Sequence, residues 1–471
     1  MALPFITVEQ MRRWETTTWN AGKSENEVIA QVGSILAKRA LELTQLNDKI
    51  LLIAGKGHNG DDIRAMINHL PDREISLIEV IDPESSLKKL QHNVIPKPDL
   101  VIDGLFGIGI NRVLDESWIN FISEINTQKL RVLSVDIPSG IDATTGEIQG
   151  AAIRANETLT LGLPKTGLLK PKAIDYVGRI RVAREIGLVQ PIETSDIQLN
   201  ETDDFSEFPP TRPTNGHKGT FGHAGIIAGS LGYHGAAVLA ARGASRAQPG
   251  LISLMTPENV FVPVASQLQS VMVHPLAPTD IEFKSASALL IGPGMASESL
   301  QQEIKTTTNS IWHESSTPMI VDASALDWIT GGEIPSKSIR VITPHPGEAA
   351  RLLECTTKDI EADRVKALQA LSTKFGNCWV VLKGYHTLIG QSKGAVFVNP
   401  TGNSSLGQGG SGDLLAGYLV GLLAQPLLQE DIVKTLNYGV WQHGAAADSL
   451  SASKSNWTIE DLATRIGETK P

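Results

Sequence analysis

Short apolar runs that end in glycine or aspartate, and then give way to glycine-rich or polar sequence ahead of a helical pattern, recur along this chain. Lys49–Ala54, Leu100–Asp103 and Val132–Asp136 are the early ones; Ala224–Ala228, Ala288–Ile291, Met319–Asp322, Arg340–Thr343 and Trp379–Leu382 follow. Unbroken apolar runs of this length read as strands buried on both faces of a parallel sheet. Strands alternating with helices restrict the chain to α/β layers.

At 471 residues the chain is long enough for two or three such units. Arg184 to Arg212 holds seven acids and no base between its ends, and then runs into Phe208-Pro209-Pro210-Thr211-Arg212-Pro213. That stretch reads as a boundary, giving domains 1–212 and 213–471. A formal charge of −10 repels a phosphate backbone, so nucleic acid is not an expected partner and any anionic ligand must be held locally. Cys355 and Cys378 are too few for a disulfide framework and match no metal spacing. With no secretory pattern at the N-terminus and no apolar run of bilayer length, a cytoplasmic protein that engages no membrane is expected.

In open α/β sheets ligands gather at the carboxyl ends of strands, and the polar clusters of the first block sit at such ends. Gly55-Lys56-Gly57-His58-Asn59-Gly60-Asp61-Asp62 satisfies G-x-G-x-x-G and opens a helix whose free N–H groups suit a phosphate. A tight strand-to-helix turn would look the same, so this motif alone decides nothing. Asp103-Gly104-Leu105-Phe106-Gly107-Ile108-Gly109-Ile110-Asn111-Arg112 adds an acid, flexible backbone and a cation; Asp136-Ile137-Pro138-Ser139-Gly140-Ile141-Asp142 adds a carboxylate and a hydroxyl. Asn59, Asp103 and Ser139 offer oxygen ligands suited to a hard cation, with the ion left open.

These motifs resemble the YjeF N-terminal domain, the NAD(P)H-hydrate epimerase, over about Met1 to Arg212 and including Glu9-Gln10-Met11-Arg12-Arg13-Trp14-Glu15. The resemblance implies a Rossmann-like three-layer fold and a potassium ion on Asn59, Asp103 and Ser139. It also implies substrate contacts from His58 to Asp62 (His58, Asn59, Gly60, Asp61, Asp62), from Gly107 to Val113 (Gly107, Ile108, Gly109, Ile110, Asn111, Arg112, Val113) and at Asp136. Asp136 is then the proton-handling group that interconverts R and S hydrates at C6 of the reduced nicotinamide. The family pattern Asn-Asn-Gly-Gly-Asp-Gly is here His58-Asn59-Gly60-Asp61-Asp62-Ile63, which sets an extra carboxylate beside an anionic ligand and a Cβ where glycine allows close approach. Impaired epimerisation is the expected consequence.

Near the C-terminus, Asn403 to Asp413 contains Gly407, Gly409, Gly410 and Gly412 immediately before the apolar helix pattern that starts at Leu414. Glycines at a helix start expose backbone N–H groups, and with the macrodipole these form an anion hole for a transferring phosphoryl group. Asp413 would then accept a hydroxyl proton. Lys383-Gly384-Tyr385-His386-Thr387 supplies a cation and donors after a strand, although a hairpin turn accounts for it equally. Thr343-Pro344-His345-Pro346-Gly347-Glu348 puts an imidazole and a carboxylate at another strand end.

With Gly-Pro-Gly at 292–294 and His217–Ser230, these motifs resemble the ribokinase-like NAD(P)H-hydrate dehydratase domain over roughly His217 to Lys470. The resemblance implies substrate contacts at Ala237, Gly294, His345 and Asp413. It implies nucleotide contacts at Lys383, Gly384, Tyr385, His386 and Thr387 and at Asn403, Gly409, Gly410, Ser411 and Gly412. Departures are milder here: Ala296, Ser324 and Ser411 replace the family's Gly, Asp and Thr.

The expected protein is therefore a bifunctional repair enzyme for hydrated NAD(P)H, pairing an epimerase with a dehydratase that uses ADP, or alternatively ATP, with Mg²⁺ and K⁺. A homo-oligomer is the expected assembly. Two rivals stand beside it: a ribokinase-type small-molecule kinase, and an N-terminal block that binds a ligand without catalysis.

Overall fold

The computed structural model describes residues 2–277, 285–297 and 302–471. Its chain forms two compact units, which divide between Asp196 and Ile197.

In the first unit, parallel strands β1 (Lys49–Ala54), β2 (Glu74–Glu79), β3 (Leu100–Gly104), β4 (Val132–Val135), β5 (Glu157–Leu161) and β6 (Arg179–Ala183) lie in the order β2-β1-β3-β4-β5-β6. Helices α1 (Val8–Asn20), α2 (Glu25–Leu43) and α3 (His58–Met66) supply part of the covering layers. Successive strand residues feed opposite faces: Ile50 and Leu52 join one apolar cluster with Trp14, Leu36 and Ile63, whereas Leu51 and Ile53 join another with Leu90 and Phe121. Strand order reverses at β1, so the segments that leave β1 and β3 diverge and open a crevice above their carboxyl ends.

The second unit is a larger mixed sheet. Its strands are β7 (Ile197–Leu199), β8 (His223–Ile227), β9 (Leu251–Thr256), β10 (Met272–Pro275), β11 (Ala288–Ile291), β12 (Met319–Val321), β13 (Arg340–Ile342), β14 (Trp379–Leu382), β15 (Leu388–Gly390) and β16 (Val396–Val398). Their order is β7-β16-β15-β14-β13-β12-β11-β8-β9-β10, parallel except where β15 pairs antiparallel with β14 and with β16. Helices α4 (His234–Ala247), α5 (Pro346–Leu353), α6 (Arg364–Lys374), α7 (Ser411–Leu423) and α8 (Ile432–Ser453) belong to this unit. Apolar side chains of α4, α7 and α8 share a core with β8, β9 and β11.

The division at 196 lies upstream of the boundary expected at 212, and the reason is local. Ile197–Leu199 pairs in parallel with β16, and Phe205 and Phe208 pack edge-on to Tyr438 with ring centroids 5.8 and 5.2 Å apart. The acidic segment thus carries apolar anchors into the second core. No helix among the described residues is long and apolar enough to cross a membrane.

Candidate active sites

A cavity of about 680 Å³ opens above β1 and β3 in the first unit. His58, Asn59 and Asp62 reach it from α3, the Gly107–Arg112 loop from β3, and Asp136 from β4; Glu15, Trp19, Phe106 and Trp118 complete much of its wall. Val113 is 73% exposed and lies outside the lining, as do Gly60 and Asp61. His58 sits at the rim with its Nε2 3.1 Å from Glu25.

Asp136 is 5% exposed and holds φ +64°, a left-handed conformation that is strained for a residue with a Cβ and characteristic of functional positions. Its Oδ1 accepts hydrogen bonds from Leu161 N at 2.9 Å and Thr160 Oγ1 at 3.2 Å, and from the Lys165 ammonium. Lys165 is fully buried, and Leu161 O accepts a further bond from it at 2.7 Å. This lysine has no motif around it in the sequence; its position just after β5, another strand end, is the signal that would have found it. Asp62 presents the opposite case: it is 4% exposed, and burial, then Asp136 and Asp61, push its carboxyl up to about 8. Burial likewise raises Glu15, with Lys165 opposing and Asp136 adding to the shift.

Ser139 binds Asp103 directly, and Asn59 reaches the same place through the carbonyl of Phe106, which accepts from both Asn59 and Ser139. Ser139 donates its hydroxyl to Asp103 Oδ1 at 2.6 Å and its N–H to Oδ2 at 2.9 Å, and Ser134 Oγ donates to Oδ2 at 2.8 Å. Asn59 Nδ2 donates to the carbonyls of Phe106 at 3.0 Å and Val135 at 2.9 Å. Asp103 is 1% exposed and no cationic side chain reaches it among the described residues, so burial raises its pKa while the hydroxyl and amide donors oppose the rise. A buried carboxylate without a counter-charge, with the hydroxyls of Ser134 and Ser139 on it and the carbonyl of Phe106 close by, fits a monovalent cation.

The two departures that argued against epimerisation both point away from this cavity. Asp61 pairs with Arg64 at 2.9 Å, and Arg64 also holds Glu79 at 2.9 Å. Ile63 is fully buried in the core against Gly104, where a Cβ would come 2.4 Å from Ile63 Cγ1. Neither residue enters the ligand space.

In the second unit, strand ends again gather the polar groups. Lys383, leaving β14, donates to Asp322 Oδ1 at 2.9 Å and lies 3.8 Å from Glu348; Thr343 Oγ1 also donates to Asp322 Oδ1, at 2.7 Å. Asp322 had been read only as the end of a strand. Desolvation would lower Lys383, but Asp322, Glu348 and Asp413 together hold it above its ordinary value. A Cβ on Gly412 would stand 3.3 Å from Lys383 Nζ, which sets the ammonium beside the glycine-rich turn. Gly410, at φ +96°, turns the chain into α7, whose start carries no side-chain cap. The N–H groups of Gly412 and Asp413 find no acceptor among the described residues, leaving two first-turn donors with the helix dipole behind them. Asp413 itself is pushed up to about 6, by burial first, then by Asp322, with Lys383 opposing and Glu348 adding.

His345 caps α5: its Nδ1 accepts from Gly347 N at 3.0 Å and Glu348 N at 3.3 Å, leaving Nε2 3.6 Å from Glu348. Asn403 is fixed by Asp448, which accepts from Asn403 Nδ2 at 3.0 Å and from Gly402 N at 3.1 Å. Gly294 lies against the start of α4, where a Cβ on it would meet Ala236 Cβ at 2.7 Å; the next residue, Ala237, is fully buried and faces Gly229, where a Cβ would come 3.0 Å from its own. The departures Ala296 and Ser324 line one cavity of about 650 Å³ with Met295, Asp327 and Trp328. The Lys383–Thr387 segment is the hairpin between antiparallel β14 and β15.

An uncapped helix start beside a half-buried lysine and the carboxylates of Asp322, Glu348 and Asp413 suits an enzyme of the α/β class that handles anionic groups, and a second α/β unit with its own cavity precedes it in the chain. Residues 224–471 match the family model of NAD(P)H-hydrate dehydratase and residues 76–167 that of the YjeF-related protein N-terminus. The chain is 31% identical over 467 residues to a bifunctional NAD(P)H-hydrate repair enzyme of Coxiella burnetii, covering 93% of each protein. It is similar to the crystal structure of an ADP/ATP-dependent NAD(P)H-hydrate dehydratase of Bacillus subtilis co-crystallised with ATP/Mg²⁺, with TM-score 0.50 and 28% identity over 55% of this chain and 92% of that one. The fold is also that of a ribokinase-like superfamily protein of Enterococcus faecalis, with TM-score 0.51 and 23% identity over 59% of this chain and 97% of that one. The chain belongs to the family of bifunctional NAD(P)H-hydrate repair enzymes, which carry an N-terminal epimerase and a C-terminal dehydratase domain.

Proposed function

We propose that the second unit dehydrates the S hydrate of NADH or NADPH at the expense of ADP, and that the first unit supplies S by epimerising R. The observation that carries this reading is the uncapped, glycine-led start of α7 with Lys383 and Asp413 beside it. Asp413 takes the proton of the C6 hydroxyl as that oxygen attacks the terminal phosphorus of ADP; the bridging P–O bond breaks and AMP leaves. The new C6–O–P linkage then breaks as a C5 proton is lost, phosphate departs, and the C5=C6 double bond of NAD(P)H is restored. The helix N–H groups and Lys383 face the charge that grows on the phosphoryl oxygens.

In the first unit Asp136, tied to Lys165, is suited to accept a proton, and Asp62, held protonated by its burial, is suited to give one. Loss and return of the C6 hydroxyl on either face require one group that takes a proton and one that gives it. Potassium on Asn59, Asp103 and Ser139 would supply the missing counter-charge beneath this pair. Among the described residues no three His, Cys, Asp or Glu form a cage for a metal, so magnesium would travel on the nucleotide phosphates. Cytoplasmic action by a homo-oligomer is part of the same proposal.

The test is to incubate the S hydrate of NADH with the full chain and ADP, following NADH absorbance and free phosphate. Equal amounts of both are expected; a stable phosphorylated product without NADH would mean a small-molecule kinase instead.

A further inference from the structure

The hairpin Leu382–His386 draws its shape from an arginine remote in sequence. Arg364 opens α6 with its side chain 10% exposed, and its guanidinium donates to the carbonyls of Leu382 at 3.2 Å, Lys383 at 3.1 Å, His386 at 3.4 Å and to that of Tyr385. Among the described residues its one carboxylate neighbour is Glu361, at 3.8 Å. A trans peptide unit directs its N–H opposite to its C=O. With the carbonyls of Lys383 and Tyr385 turned to Arg364, the N–H groups of Gly384 and His386 therefore turn away from it, and neither has an acceptor among the described residues. Gly384 is required twice over: its φ is +135°, and a Cβ there would come 2.9 Å from Arg364 Nη2.

Resting on the nucleotide reading of this hairpin, we propose that Arg364 is a positioning residue of the dehydratase, holding the Gly384 and His386 N–H groups as a preformed nest for the terminal phosphates of a nucleoside diphosphate. The rigid fork of a guanidinium spans several carbonyls at once; the compact ammonium of lysine cannot.

The experiment compares Arg364→Lys, Arg364→Met and Gly384→Ala with wild type in the full chain, measuring binding of ADP and of adenosine by calorimetry. ADP affinity should fall by roughly tenfold or more in each, as expected for disturbing two charge-assisted bonds, with Arg364→Lys the mildest. Adenosine, which lacks phosphates, should bind within about twofold of wild type, and R-to-S epimerisation by the same preparations should persist. Unchanged ADP affinity would overturn the proposal, and so would an equal loss of ADP and adenosine, since that marks a general collapse of the site. A wild-type chain that binds ADP yet releases no NADH would refute the dehydratase reading and leave this inference standing; one that binds no ADP would end both.

Discussion

Asp413→Asn should destroy dehydration and at the same time stabilise the second unit. In the folded chain the carboxyl of Asp413 titrates near 6 against an ordinary value of 3.8, chiefly because it is buried, with Asp322 adding to the shift. At about 1.4 kcal/mol per unit, keeping it ionised above pH 6 costs the fold as much as about 3 kcal/mol, less where solvent screens the site. The sign follows from linkage. Above pH 6 both folded and unfolded chains hold Asp413 as carboxylate, so the folded state bears the whole penalty; between about 6 and 4 the folded chain takes up a proton that the unfolded chain does not, and the penalty fades. Asparagine keeps the shape without the charge, while Lys383 retains Asp322 at 2.9 Å and Glu348 at 3.8 Å. Urea unfolding of both proteins should therefore show the variant ahead by about 1–3 kcal/mol at pH 7, and level with wild type by pH 4. Turnover should drop at least about a hundredfold, and wild-type kcat/KM should decline below a pH near 6 as the base is protonated. A variant less stable than wild type at pH 7, or a gap that ignores pH, would refute the reasoning.

Further outcomes follow from the first unit. Lys165→Met strands Asp136 in a buried site and should destabilise that unit by about 3–5 kcal/mol, with epimerisation lost; an unfolding free energy in urea within about 1 kcal/mol of wild type would contradict the buried pair. Asp61→Gly should leave epimerisation within about threefold, because Asp61 faces Arg64 instead of the cavity, whereas Ile63→Gly should lose about 4 kcal/mol or more from the core. Chromatography of the hydrate epimers and denaturant melts separate these two effects. Potassium should raise the thermal midpoint of the chain over an equal concentration of choline, and Ser139→Ala should shrink that gain; identical midpoints in the two salts would remove the ion from Asp103.

What could be read beforehand was whatever the chain writes locally. The runs at Lys49–Ala54, Ala288–Ile291 and Trp379–Leu382 are strands in place because both their faces are apolar. Glu74–Glu79, Glu157–Leu161 and Arg179–Ala183 were missed, since edge positions and ion pairs such as Glu157 with Arg39 admit polar residues that break the apolar run. Glycine-rich turns mark both candidate sites, yet Lys165 is 29 positions from Asp136, and Asp322 is 61 from Lys383. Such partners are chosen by strand order, which no local pattern records. The acidic stretch before Arg212 marks the boundary region by its charge, but its side of the division is set by Phe205 and Phe208, which the second core takes in. Where the family has two glycines, α3 turns Asp61 and Ile63 away from the cavity, a placement that depends on the helix face and is not written in the motif itself.

The measurement that bears most directly on a two-site repair enzyme is the fate of a mixture of R and S NADH hydrate incubated with the full chain and ADP. Both epimers should disappear faster than the spontaneous interconversion allows, with NADH, AMP and phosphate formed in equal amounts, and Asp136→Asn should stall once the S share is spent. An R epimer that survives the wild-type chain, or hydrate consumed without NADH, would contradict it.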